Sequence, residues 1–247
     1  MIKNIIALFF LCSSMGFFAQ NKPSPHDTEV WEPVPKIVTV NEKGIPSDAI
    51  ILLSDKVNEF VDYKGKPISW TYKDGIMTVK PREEGARKDQ NVYTKQKFGN
   101  CQLHLEFRTP IDHEGEGKKN GNSGVFLQTF YEIQVLNSYE NETHATGQLG
   151  AIYKQSSPMA NPAKPMGEWQ TYDIVYTAPV WQDNKVVKKA SMTAFINGVL
   201  VQNHFELTGR TSFSSKAKYP APHDKMPLML QEHNNYVSYR NIWIREL

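Results

Sequence analysis

From Ala49 onward the chain is built of short stretches that alternate apolar and polar residues, each stopped by Pro, Gly or Asn. This pattern limits the fold more than any other feature. "CQLHLEFRTP" alternates over eight positions and halts at Pro110, and "WQTYDIVYTAP" does the same and halts at Pro179. A period of two is that of a strand with one hidden face. Asp74-Gly75 in "SWTYKDGIMTVK" and Asn197-Gly198 in "SMTAFINGVLVQ" are pairs that accept the left-handed backbone of a two-residue hairpin. "AIILLSD", "MPLMLQEH" and "YRNIWIREL" supply further strands. No capped helical period and no internal repeat occurs. The pattern predicts an all-β chain, an antiparallel sandwich or barrel. Loops 111–123 and 209–226 are long for a compact domain and are expected to shape a binding mouth.

The N-terminus reads differently. "MIKNIIALFFLCSSMGFFAQ" has an early Lys, an apolar stretch, small residues and Ala19, the layout of a signal peptide over residues 1–19. Its apolar stretch is too short to span a bilayer. Ordinary export to the periplasm or medium is expected. A lipid anchor at Cys12 ranks second, because Phe9, Phe10 and Leu11 are bulky for such a site. Residues 20–47 carry Pro23, Pro25, Pro33, Pro35 and Pro46 with little periodicity, and read as an arm ahead of a domain at 48–247. The net charge of +2, with no Lys/Arg run among aromatics, gives no reason to expect nucleic acid as a partner. Removing the leader leaves Cys101 alone, so no disulfide framework exists. Its parity with Leu103, Leu105 and Phe107 predicts a buried, inert thiol.

The stretch "GNSGVFLQTFYEIQVLNSY" is where chemistry is expected. Two β-rich runs, 125–129 and 131–136, follow a loop of small polar residues. In the second, Glu132 and Gln134 share the face opposite Tyr131, Ile133 and Val135. An exposed strand face explains them, but so does a face that receives a sugar, since amides and carboxylates match hydroxyl groups. Asn122 and Ser123 adjoin this face. Arg108 ends its strand close to the same loop, whereas Gln102, His104 and Glu106 fit an ordinary wet face. In "LQEHNNY", Gln231 and His233 share parity, and His233 has a proton affinity suited to transfer near neutrality. Tyr153 and Lys154 in "GAIYKQ" are further candidates, and Trp169 reads as a core ring. A conventional glycosidase needs two carboxyl groups. After Glu132 the strand offers an amide at 134, and neither Leu136 nor Asn137 is an acid. Asp112, His113, Glu114 and Glu116 could wrap a divalent cation, although a solvated acidic loop accounts for them equally.

"FGNCQLHLEFRTP", "GNSGVFLQTFYEIQVLNSY", "GQLGAIYKQ", "GEWQTYDIVYTAP", "INGVLVQNHFELTG" and "LQEHNNYVSYRNIWIREL" resemble, in order, the blocks of the 3-keto-disaccharide hydrolase domain family. The resemblance covers roughly residues 48–247. It implies a concanavalin A-like jelly roll of two antiparallel sheets, one of them concave, and an exported enzyme acting on glycosides already oxidised at C3. A C3 carbonyl acidifies the C2 hydrogen, so one base suffices, the C1–O bond breaks by β-elimination, and water adds afterwards. The lone carboxylate agrees with that route. Position and chemical type assign Glu132 as base, His233 as alternative base or as acid, and Arg108 as the stabiliser of the enolate oxygen. Asn122, Ser123, Gln134, Tyr153, Lys154 and Gln231 would contact the small carbohydrate. A divalent cation in place of Arg108 is the one cofactor to consider. The same fold also serves non-catalytic lectins and conventional glycosidases, the two competing readings.

Overall fold

The computed structural model describes residues 24–83, 89–111 and 115–247. The expected signal peptide over residues 1–19 and the Asp112–His113–Glu114 part of the acidic loop lie outside the described residues. The described residues up to Ile37 and those from Val38 to Leu247 fall into two compact units. In the first, Pro25–Thr28 make a 3-10 turn. The Ser24 hydroxyl accepts from the His26 amide, and Asp27 accepts from the Ser24 amide.

The regular structure of the second unit is nearly all strand. In chain order these are β1 (Ile50–Leu53), β2 (Phe60–Val61), β3 (Thr71–Lys73), β4 (Ile76–Thr78) and β5 (Val92–Phe98). Then follow β6 (Cys101–Arg108), β7 (Ser123–Leu127), β8 (Tyr131–Val135), β9 (Gln170–Thr177) and β10 (Val180–Gln182). The last are β11 (Lys185–Lys188), β12 (Ser191–Ile196), β13 (Val199–Glu206), β14 (Met226–Leu230) and β15 (Ser238–Glu246). Eight form one sheet in the order β13-β12-β9-β6-β15-β4-β3, with β1 also on β15, and five form another in the order β2-β5-β14-β7-β8. All strand pairs are antiparallel. This is the jelly-roll sandwich expected.

Local chemistry explains the pieces. Asp74 and Gly75 have φ of 50° and 76° between β3 and β4, and Asn197 and Gly198 have 50° and 79° between β12 and β13. Both are hairpins turned by left-handed pairs. The β7–β8 turn uses Gln128 and Thr129 at φ 50° and 61°, without a glycine. Thr129 was expected in a strand. Gln128 holds the strained turn, donating to the Phe98 and Asp224 carbonyls and accepting from the Tyr176 hydroxyl.

The core lies between the sheets. Leu103, Leu105, Phe107, Ile174 and Ile244 from the larger sheet meet Val125, Ile133, Val135 and Leu230 from the smaller one. Three buried tyrosines of the larger sheet reach across it. Tyr172 donates to the Gln134 carbonyl at 2.6 Å, Tyr176 to Gln128 at 2.8 Å and Tyr239 to Ser123 at 2.7 Å. Each ring fills the apolar layer while its hydroxyl finds a polar partner on the opposite sheet. Cys101 is buried as expected, and burial pushes its thiol up to about 12.

Candidate active site

Glu132 sits in β8 on the side of the smaller sheet away from the core. Its cross-strand partner is Phe126, and Gln134 faces Gly124. The face was expected to be wet, yet both side chains are buried, at 6% and 3% exposure. The reason is the β8 edge. Ile152 bridges Ile133, the Tyr153 amide donates to the Glu132 carbonyl at 3.2 Å, and the Gln134 amide donates to the Ala151 carbonyl at 2.9 Å. That register sets Tyr153 beside Glu132 on the same face. Thr211 closes the backbone from another loop by accepting from the Glu132 amide.

Gly124 answers why a glycine stands in this motif. A Cβ there would meet Glu132 Oε1 at 2.6 Å and the Phe126 ring at 2.8 Å. The carboxyl therefore leans across β7 into space that only glycine leaves open. Burial pushes Glu132 up to about 8, and burial is the whole cause; no second carboxylate contributes. Gln231 shares this face, because its amide donates to the Gly124 carbonyl, and its Oε1 is buried with no partner. The Glu132 carboxyl and the Phe126 ring thus meet over Gly124, with Gln231 on the neighbouring strand.

Around Tyr153 gather cationic and aromatic side chains of which the sequence revealed only Lys154. Lys118 Nζ is 5.9 Å from the Tyr153 ring centre and 5.5 Å from that of Phe213; Lys154 Nζ is 5.9 and 4.6 Å from the same rings. Lys154 also donates to the Phe213 carbonyl. His144 packs its ring on Tyr153. Desolvation first, then Lys154, holds Lys118 below the usual lysine range, and desolvation with both lysines lowers His144. Burial, and next the Glu132 charge, raises the Tyr153 phenol. Lys118, His144 and Phe213 come from three separate loops, so no spacing in the sequence joins them. Neither Lys in "GKKNGN" carries a local signal.

The expected residues divide. Glu132, Tyr153, Lys154 and Gln231 belong to this neighbourhood. Asn122 and Gln134 do too, but their amides are committed. Gln134 Nε2 donates within reach of Asn122 Oδ1, at 2.8 Å, and of the Ser123 and Val135 carbonyls, while Asn122 Nδ2 donates to the Lys118 carbonyl at 2.8 Å. They tie the Lys118 turn to the sheet rather than offering themselves to a ligand. Ser123 faces the core, donating to the Gln231 carbonyl and accepting from Tyr239. It has the parity of Val125, which turns it inward.

Arg108 is elsewhere. It ends β6 opposite Ser238, on the outer face of the larger sheet, with the whole core between it and Glu132. Its guanidinium lies 4.8 Å from the Trp169 ring centre, and Arg240 lies 4.0 Å from that ring. Trp169 is therefore a half-buried plate between arginines, not a core ring. His233 is exposed in the loop after β14, and no described contact joins it to Glu132. Glu116 is exposed, and among the described residues no three His, Cys, Asp or Glu side chains gather as metal ligands would.

A family model described as the 3-keto-alpha-glucoside-1,2-lyase-like domain matches residues 50–245. The chain belongs to this family, the 3-keto-disaccharide hydrolases. With membership comes a carbohydrate-acting function. Among solved structures, a candidate glycosyl hydrolase from Parabacteroides distasonis ATCC 8503 is 40% identical. That likeness covers 91% of this chain and 97% of the other, with a TM-score of 0.82. Two further candidate glycosyl hydrolases from the same organism share the fold at 15% and 21% identity. Each likeness covers 81% of this chain and 94% and 99% of the other, with TM-scores of 0.58 and 0.54. No curated protein matches the chain.

Proposed function

We propose that this family member cleaves 3-keto-glycosides by β-elimination, with Glu132 as the base. The observation that carries this reading is the Glu132 carboxyl, buried without an ion pair among the described residues and raised to about 8 by burial alone, whereas the other buried glutamate, Glu232, is paired with Arg82 at 2.9 Å. One such group cannot run the two-carboxylate hydrolysis of an ordinary glycoside. It suits proton abstraction next to a carbonyl, because an elevated proton affinity strengthens the base.

In the first step Glu132 removes the C2 proton and the electron pair becomes the enolate of the C3 carbonyl. The C1–O bond then breaks, C1=C2 forms, and the aglycon oxygen leaves with the pair and a proton. Tyr153, set beside Glu132 on the same face, supplies that proton. Water then adds its hydroxyl to C1 and its hydrogen to C2, which completes net hydrolysis. Arg108 cannot stabilise the enolate from the far sheet. Lys118 and Lys154, gathered over Tyr153, take that role, where preorganised charge counts most. Gln231, with its free Oε1, holds a hydroxyl.

The test is to incubate the protein with a 3-keto-glucoside and with its unoxidised parent, with and without chelator. Release of aglycon from the keto-sugar alone, lost in Glu132→Gln, is the expected result. Equal cleavage of both sugars would reject elimination, and binding without cleavage of either would favour a lectin. Loss with chelator would move the electrophile's role from the lysines to a metal. Export belongs to the same reading. Fractionated cells should yield periplasmic or secreted protein beginning at Gln20, and membrane retention with a lipid on Cys12 would contradict that.

A further inference from the structure

The sheet face bearing Glu132 does not end at Phe126. Across the strands the registers run Val61–Tyr93, Tyr93–Met229, Met229–Phe126 and Phe126–Glu132, so these side chains form one row. Strands lie about 4.8 Å apart, which puts Met229 roughly 10 Å from Glu132. From Met229 outward the row opens into a trough of about 670 Å³ lined by Val61, Tyr63, Tyr93, Met226, Pro227 and Met229.

The trough also contains polar side chains, and the protein already uses them. The Tyr93 hydroxyl donates to Asp89, Thr94 donates to the Gln96 carbonyl, and Thr129 donates to the Gln128 carbonyl. Lys95 pairs with Glu59 at 3.2 Å, and one Asp62 oxygen accepts from the Lys64 and Lys66 amides. A sugar needs convergent donors and acceptors with capacity to spare. Gln231, beside Gly124, has such a group in its unpartnered Oε1; the trough offers rings and thioethers instead.

Orientation follows from the reaction. The C3 oxygen must face the lysines beyond Tyr153, so C1, on the other side of C2, points along the row toward Met229. We propose that this trough is the aglycon subsite and that it takes a flat aromatic aglycon. The inference rests on the elimination reading and adds the substrate class to it.

The test compares benzyl and methyl 3-keto-glucosides of one anomer, whose leaving alcohols are alike in acidity. The benzyl compound should show a kcat/KM at least about tenfold higher. Met229→Gln and Tyr63→Ser should each bring the ratio toward one. Equal rates in the unaltered protein would overturn the assignment, as would a 3-keto-disaccharide cleaved better than the benzyl glycoside. If neither simple glycoside is cleaved, the elimination reading fails, and calorimetry then decides the trough by itself. Tighter binding of benzyl than methyl glucoside, lost in Met229→Gln, keeps an aromatic site, and equal binding removes it.

Discussion

Glu132 and the acids on the outer face of the larger sheet hold their charge in opposite ways. On the larger sheet every acid of the central rows has a partner. Glu106 accepts from Arg240 at 2.7 Å and from Asn241 at 3.0 Å, His104 meets Asp173 at 2.7 Å, and Arg245 grips Asp48 with two nitrogens. These pairs are half exposed and are worth little individually. On the smaller sheet Glu132 is buried, unpaired and raised to about 8. Partnered charge on a wet face is surface chemistry; an isolated carboxyl kept from water costs stability and signals a task. Reading both strands from alternation alone had made Arg108 and Glu132 look like neighbours.

The comparison breaks most visibly through its key residue. Glu132→Gln should lower kcat/KM on a 3-keto-glucoside by about 10²–10⁴-fold, whereas Glu106→Gln on the other face should leave it within about twofold. Steady-state kinetics on both variants decides this.

Stability sharpens the contrast next. Because the folded value for Glu132 lies above the ordinary 4.5, the neutral acid is favoured in the folded state. Its contribution is intact below pH 4.5 and is lost as pH rises through about 8. Glu132→Gln should therefore be neutral near pH 4 and stabilising by about 2–5 kcal/mol near pH 9, read by denaturant unfolding at both pH values. A variant equally stable relative to the parent at the two pH values would mean Glu132 is already hydrated.

A smaller effect is expected under the Glu132 carboxyl. Gly124→Ala places a methyl group where the carboxyl leans and should cost about tenfold in kcat/KM, with the fold retained by circular dichroism. Smallest of all, Arg108→Ala should change turnover less than about twofold, since it loses only a stacking contact with Trp169. A hundredfold loss there would bring the two faces into one site and undo the comparison.

Much of this was legible in residues. The Asp74-Gly75 and Asn197-Gly198 pairs mark their hairpins, and the alternation of Cys101–Arg108 gives the burial of each side chain along β6. Glu132 is legible as a lone acid on a strand. What alternation cannot express is which sheet a strand joins. Arg108 and Glu132 both point away from the core, but in opposite directions, because β6 and β8 pair into different sheets. Ser123 was readable by parity with Val125 and Leu127. Lys118, His144 and Phe213 were not, since loops carry no period and their meeting over Tyr153 depends on tertiary closure.

The central claim concerns one proton. Carbon-13 NMR of glutamate carboxyls, with Glu132 assigned by its absence in Glu132→Gln, follows that proton directly through pH. The account predicts a titration midpoint near 8; a midpoint close to 4.5, that of a solvated glutamate, would contradict it.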